Sequence, residues 1–179
     1  MTIGKKIQNA FNKQINAETY SSYMYWSMSA YFESLNLRGF ANWMRAQAQE
    51  EMLHAAKFYD FVVDRGGRVL LSAIEAPPTE WSSPQAAFEA VLEHEQKVTG
   101  LIHGLVEVAA EEKDHASGGF LQWFVNEQVE EEANAAEIVQ KLRMLSKAPG
   151  ERGPQTPHGV ALYMFDRELA TRKFSPKGD

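Results

Sequence analysis

FANWMRAQAQEEMLHAAKFYDFV, residues 40–62, is the stretch whose reading decides the fold. Phe40, Met44, Gln47, Glu51, His54, Phe58 and Phe61 recur at intervals of three and four, the stripe of an α-helix that faces a core. The stripe is apolar at both ends and is broken near its middle by Glu51 and His54. Three other segments repeat the pattern. One runs Ile7, Phe11, Gln14, Glu18, Ser21, Tyr25, Met28, Phe32, Leu35; another Phe88, Val91, Glu95, Val98, Ile102, Leu105, Ala109; the last Leu121, Phe124, Gln128, Glu131, Ala135, Ile138, Leu142, Leu145. Each seam thus carries a glutamate in a slot that the pattern reserves for a core side chain. A lone ionised carboxylate in a core costs several kcal/mol, so four that meet there need a compensating positive charge. One or two divalent cations supply it.

With 179 residues and 44% hydrophobic content, the chain is long enough for one well-packed domain. A net charge of −6 leaves little positive surface for nucleic acid or an anionic membrane and makes metal cations the more natural partners. The absence of cysteine excludes disulfide frameworks, thiolate zinc sites and iron–sulfur clusters, so a metal must be held by oxygen and imidazole. No apolar signal core follows Met1, and no run reaches the roughly 18 apolar residues of a membrane span. The expectation is a cytoplasmic, soluble protein.

The caps and breakers place helices at about residues 6 to 35, from there to about Arg65 ahead of Gly66-Gly67, at about 85 to 112, and at about 120 to 146. The short turn at Asn36–Gly39 makes the first two antiparallel. The connection from Gly67 to Pro84, at roughly 3.3 Å per residue, is long enough to return along a helix of about 40 Å, which makes the third helix parallel to the second. A break from Asp114 to Gly119 then reverses the chain. The fold expected is all-α, a four-helix bundle with one long crossover over residues 1–146. A Pro/Gly-rich linker and a short helix at about Val160 to Arg172, too short to be stable unless it packs on something, occupy residues 147–179.

Glu51 and His54, three residues apart, lie one turn from each other on one helix face, in position to bind one ion together. By itself this spacing more often means a surface pair; its place on a buried seam changes that reading. If the four breaks lie at one level, Glu18, Glu51 and His54 serve one ion and Glu95, Glu131 and again Glu51 a second. Glu50, Glu127 and Glu130 form a further acidic layer that could hold a third ion or pass metal onward, the plainer reading being a solvated face. Tyr25, two turns beyond Glu18, could hydrogen-bond a ligand or donate an electron, although a structural tyrosine is the simpler account. Trp43 and Trp123 read as packing residues, Met52 as an ordinary contact, and Asp114 with His115 as possible pore ligands.

The stretches INAETYSSYMYWSMSAYFES, FANWMRAQAQEEMLHAAKFYDFV and FLQWFVNEQVEEE together resemble the non-haem ferritins of bacteria and archaea, over about residues 5 to 146. The ferritin-like bundle with carboxylate and histidine ligands is a standard instance of this architecture. The resemblance implies a ferroxidase centre with Glu18, Glu51 and His54 at one iron and Glu51, Glu95 and Glu131 at the other. It further implies that Gln128 contacts the oxidant, that Glu50, Glu127 and Glu130 form a third iron site, and that Tyr25 is the tyrosine beside the centre. The resemblance implies as well that iron(II) is oxidised by O2 or H2O2 and stored as a hydrated ferric oxide in a cage of 24 subunits. Gln128-x-x-Glu131 stands where haem-binding bacterioferritins carry a second Glu-x-x-His, so no haem is expected. Rubrerythrin-like peroxidases are disfavoured by the lack of cysteine. A di-metal redox enzyme that stores nothing is the alternative, and a bundle with purely structural acids a third reading.

Overall fold

The computed structural model describes residues 2–146 and 158–174. These residues form five helices: α1 (Lys5–Ser34), α2 (Arg38–Asp64), α3 (Pro84–Glu111), α4 (His115–Ser146) and α5 (His158–Leu169). α1 packs on α2 and α3 on α4 as two antiparallel hairpins, and α5 lies across α2 and α4.

Three of the helices end by the same device. After α1, Leu37 N–H returns to the Phe32 carbonyl and Asn36 N–H to Glu33; after α2, Gly67 bonds Val62 and Gly66 bonds Val63; after α3, Asp114 bonds Ala109 and Lys113 bonds Ala110. This closure requires one residue in the left-handed region, filled here by Asn36 (φ 58°), Gly66 (φ 65°) and Lys113 (φ 54°). Glycine and asparagine take that conformation readily, whereas lysine does so at a cost.

The connection between α2 and α3 lies along α1, held by side chains of that helix. Gln8 accepts from the Arg68 N–H, Asn12 accepts from Leu70 and donates to the Arg68 carbonyl, Asn16 donates to Ala73, Ser27 to Pro78 and Tyr31 to Trp81. The chain therefore climbs the bundle beside α1 before Ser83 caps α3, its hydroxyl accepting from the Ala86 N–H. This is the long crossover expected from the sequence.

The reversal between α3 and α4 is shorter than expected. α4 begins at His115, so Gly118 and Gly119 lie inside its first turns and not in a break. Asp114 explains the difference: its carboxylate accepts from the Ser117 N–H at 3.1 Å and starts the helix early. The same carboxylate takes a two-pronged bond from Arg65 at 3.2 and 3.0 Å, tying the end of α2 to the start of α4. Asp114, suggested by the sequence as a pore ligand, is engaged as a cap.

The core is two apolar blocks. Ile7, Phe11, Phe58, Ile102, Leu121 and Phe124 anchor one; Met28, Phe32, Phe40, Met44, Phe88 and Leu142 anchor the other. Each such side chain contributes about 1.5–3 kcal/mol on burial. α5 joins the second block through Phe165 and Leu169, which gives this short helix the packing it needs. Most of the linker expected at residues 147–159 lies outside the described residues, so the division at residue 146 stays an expectation.

Candidate metal centre

The two apolar blocks are separated by a polar layer. Glu18, Glu51, Glu95 and Glu131, one from each bundle helix, are at most 4% exposed, together with Gln14, Gln47, His54 and Gln128. Because every helix brings its glutamate to the same height, the four seam breaks coincide.

Glu18, Glu51 and His54 each direct one ligating atom into a group whose members lie within 4.8 Å of one another. His54 Nδ1 stands 3.4 Å from Glu51 Oε2, as the one-turn spacing requires. Gln14, one turn before Glu18, donates to Glu18 Oε1 at 2.8 Å and so turns Oε2 toward the group. Glu18 Oε2 and Glu51 Oε2 are buried without a hydrogen-bond partner. Buried carboxylate oxygens rarely go unsatisfied. Two of them beside an imidazole form a donor set suited to a borderline divalent ion such as Fe(II).

Glu95 and Glu131 belong to the same layer but do not join this tight group. Each is held by a neighbour: Tyr25 donates its hydroxyl to Glu95 Oε1, and the Gln128 amide lies 3.4 Å from Glu95 Oε2 and 3.2 Å from the Glu95 carbonyl. Gln47 donates to Glu131 Oε2 at 2.9 Å. Tyr25 thus acts on a carboxylate of α3 and does more than pack.

Electrostatics tells the same story. Burial, followed by the charge of Glu51, pushes the Glu18 carboxyl up from 4.5 to about 8. Burial and the Glu131 charge raise Glu95 to about 7. Glu51 is raised well above the carboxylate range by burial and by the charges of Glu95 and Glu131. Tyr25 rises for the same reasons, burial first and Glu95 next. Carboxyls so placed hold protons until a cation replaces them, so metal entry and proton release are linked.

The outer acids divide. Glu127 is buried, Glu130 is exposed, and Glu50 is partly buried against Arg172, 2.5 Å from its Nη2. Met52 lies outward, 48% exposed. Trp123 packs edge-on to His54 at 5.5 Å, and Trp43 against Phe88 at 5.1 Å.

Reading the sequence missed four supporting residues. Gln14 and Gln47 stand four residues before Glu18 and Glu51 on the same seams, a repeated Gln-x-x-x-Glu spacing that was there to be read. His94 bonds Ser21 at 2.8 Å and is lowered to about 4 by burial and then by Lys97. Arg172 left no local signal, since it acts across 125 positions.

A family model described as "Ferritin-like domain" matches residues 8–145. A bacterial non-heme ferritin of Bacteroides fragilis is 49% identical over 170 residues, covering 95% of this chain and 99% of the relative. One from Staphylococcus saprophyticus is 38% identical, covering 96% and 97%. Among solved structures, a closed form of the Archaeoglobus fulgidus ferritin made by site-directed mutagenesis aligns with a TM-score of 0.90 at 54% identity, covering 97% of this chain and all (100%) of that one. The open-pore ferritin of the same archaeon aligns at 0.89, also at 54% identity, covering 96% and 100%. A four-helix bundle with a carboxylate–histidine layer, matched over nearly the whole chain by such relatives, belongs to the ferritin family, among its non-haem members.

Proposed function

We propose that this ferritin oxidises Fe(II) at the polar layer and stores the product as a ferric oxide mineral inside a cage of many copies, 24 as the family resemblance implies, in the cytoplasm. The observation that carries the reading is the pair of buried oxygens without a hydrogen-bond partner, Glu18 Oε2 and Glu51 Oε2, beside His54. Iron is substrate and cargo here. One Fe(II) is held by Glu18, Glu51 and His54, the other by Glu51, Glu95 and Glu131, with Glu51 shared. Each Fe(II) gives up one electron; O2 takes two electrons and two protons to become H2O2, or H2O2 takes the same to become two waters. Tyr25 and Gln47 hold Glu95 and Glu131 in place, and Gln128, which spans Glu95 and Thr99, contacts the oxidant. Glu50, Glu127 and Glu130 are the candidate third iron site.

Assembly has support on the surface. Tyr23 and Trp26 of α1 and Leu70, Leu71 and Ile74 of the connection laid along it are 41–76% exposed, large apolar groups of the kind a neighbouring subunit covers. Among the described residues no helix is long and apolar enough to cross a membrane.

The test is anaerobic titration of the apoprotein with Fe(II), then admission of air, with particle size measured on the same sample. Two to three tight irons per chain, rapid oxidation and continued uptake by a large particle support the reading. Saturation at two irons on a small oligomer points instead to a di-iron redox enzyme that stores nothing.

A further inference from the structure

The segment that follows α5 reaches the metal centre. α5 is fixed to the start of α2 by Asp166, whose Oδ1 accepts the N–H groups of Gly39 and Phe40 at 2.8 and 3.1 Å. Beyond it the chain is held by the Asn42 amide, which donates to the Arg172 carbonyl at 2.9 Å. The Arg172 guanidinium then lies 4.3 Å over the Trp43 ring, bonds Glu50 Oε2 at 2.5 Å, and donates through the same nitrogen to Gln47 Oε1. Gln47 is fully buried, and its amide nitrogen donates to Glu131 Oε2.

A guanidinium has only donors, so it fixes the sense of the Gln47 amide: oxygen toward Arg172, nitrogen toward Glu131. Without Arg172 the buried oxygen loses its donor, and the amide, anchored then only through its nitrogen on Glu131, is no longer held at a fixed position. We propose that Arg172 is a positioning residue for the second metal position, acting through Gln47 on Glu131, so that this position is complete only when the segment after α5 is docked on α2. The proposal rests on the two-position reading above. Its consequence is reciprocal: a docked segment tightens metal binding, and bound metal tightens docking.

The experiment is calorimetric titration of the full-length apoprotein with Zn(II), which binds without redox chemistry. Wild type should show at least two tight classes. Arg172→Met should weaken one of them about 10–100-fold, the usual cost of losing a group that orients a ligand, and leave the other unchanged. Arg172→Lys, which keeps a donor, should recover most of the loss. Gly39→Ala, which displaces α5 while keeping Arg172, should reproduce the loss, and the double variant should lose no more than either single one. Hydrogen exchange across residues 158–172 should slow on zinc binding in wild type and not in Arg172→Met. Circular dichroism and particle size establish that each variant is folded. Equal zinc affinities in folded Arg172→Met, or losses that multiply in the double variant, overturn the proposal. A single tight zinc class in wild type overturns it together with the two-position reading, whereas two intact classes in Arg172→Met overturn it alone.

Discussion

Gly39 of α2 lies so close to Asp166 of α5 that a Cβ at position 39 would stand 1.6 Å from the Asp166 carbonyl oxygen. At the same contact the Asp166 carboxylate accepts the N–H groups of Gly39 and Phe40 in the first turn of α2, whose own N-cap residue, Leu37, offers no side-chain acceptor. The last helix caps the second. Asp166→Ala should therefore cost about 1 kcal/mol, the usual worth of a cap, and lower the thermal midpoint by about 2–4 °C. Gly39→Ala should go further and release α5, read as rapid amide exchange at residues 158–169 on an otherwise protected bundle. Retained protection there would refute the contact.

The raised carboxyls make the apoprotein's stability depend on pH. The folded-state value of Glu18, about 8, lies above the ordinary 4.5, so the folded chain binds the proton more tightly than the unfolded one. Its contribution is present below 4.5 and is lost as pH rises toward 8, by up to about 1.4 kcal/mol per pH unit for each such proton. His94, lowered to about 4, works the other way, favouring the fold above 6.5 and losing that contribution as pH falls. Above about pH 7.5 it is almost wholly neutral in both states, so the fall in midpoint measured from there to pH 8 belongs to the carboxyls. Glu18→Gln should raise the apoprotein midpoint at pH 8 and flatten the slope, and Zn(II) should do the same to wild type.

Tyr25→Phe removes the donor on Glu95 Oε1 while keeping the ring in the core. The bundle should stay folded, and zinc affinity at one position should fall about 10-fold. A tyrosine that only packs would leave both affinities unchanged.

Glu51→Ala with His54→Ala removes one carboxylate and the imidazole of the tight group. Small side chains in this layer relieve buried charge, so the assembled particle should persist. Rapid iron oxidation should be abolished; unchanged initial rates in the air-admission experiment would sink the assignment.

The sequence by itself determined the helices and which face of each is buried, because both follow from a local period of 3.6 residues. Of the first seam only its last member, Leu35, lies outside the core, 44% exposed where α1 has already ended. The intruding glutamates, and the pairing of Glu51 with His54, were legible for the same reason. The break expected at Asp114–Gly119 is cut short because the Asp114 carboxylate caps α4 and starts it five residues earlier than expected, with both glycines inside the helix. Tertiary structure alone decided that the four glutamates share one height, since that depends on the register between helices, set by turns and by ties such as Arg65 to Asp114. It also decided which groups hold the ligands. The partners of Glu131 and Gln47 lie 84 and 125 positions away, and no local period carries information over that distance.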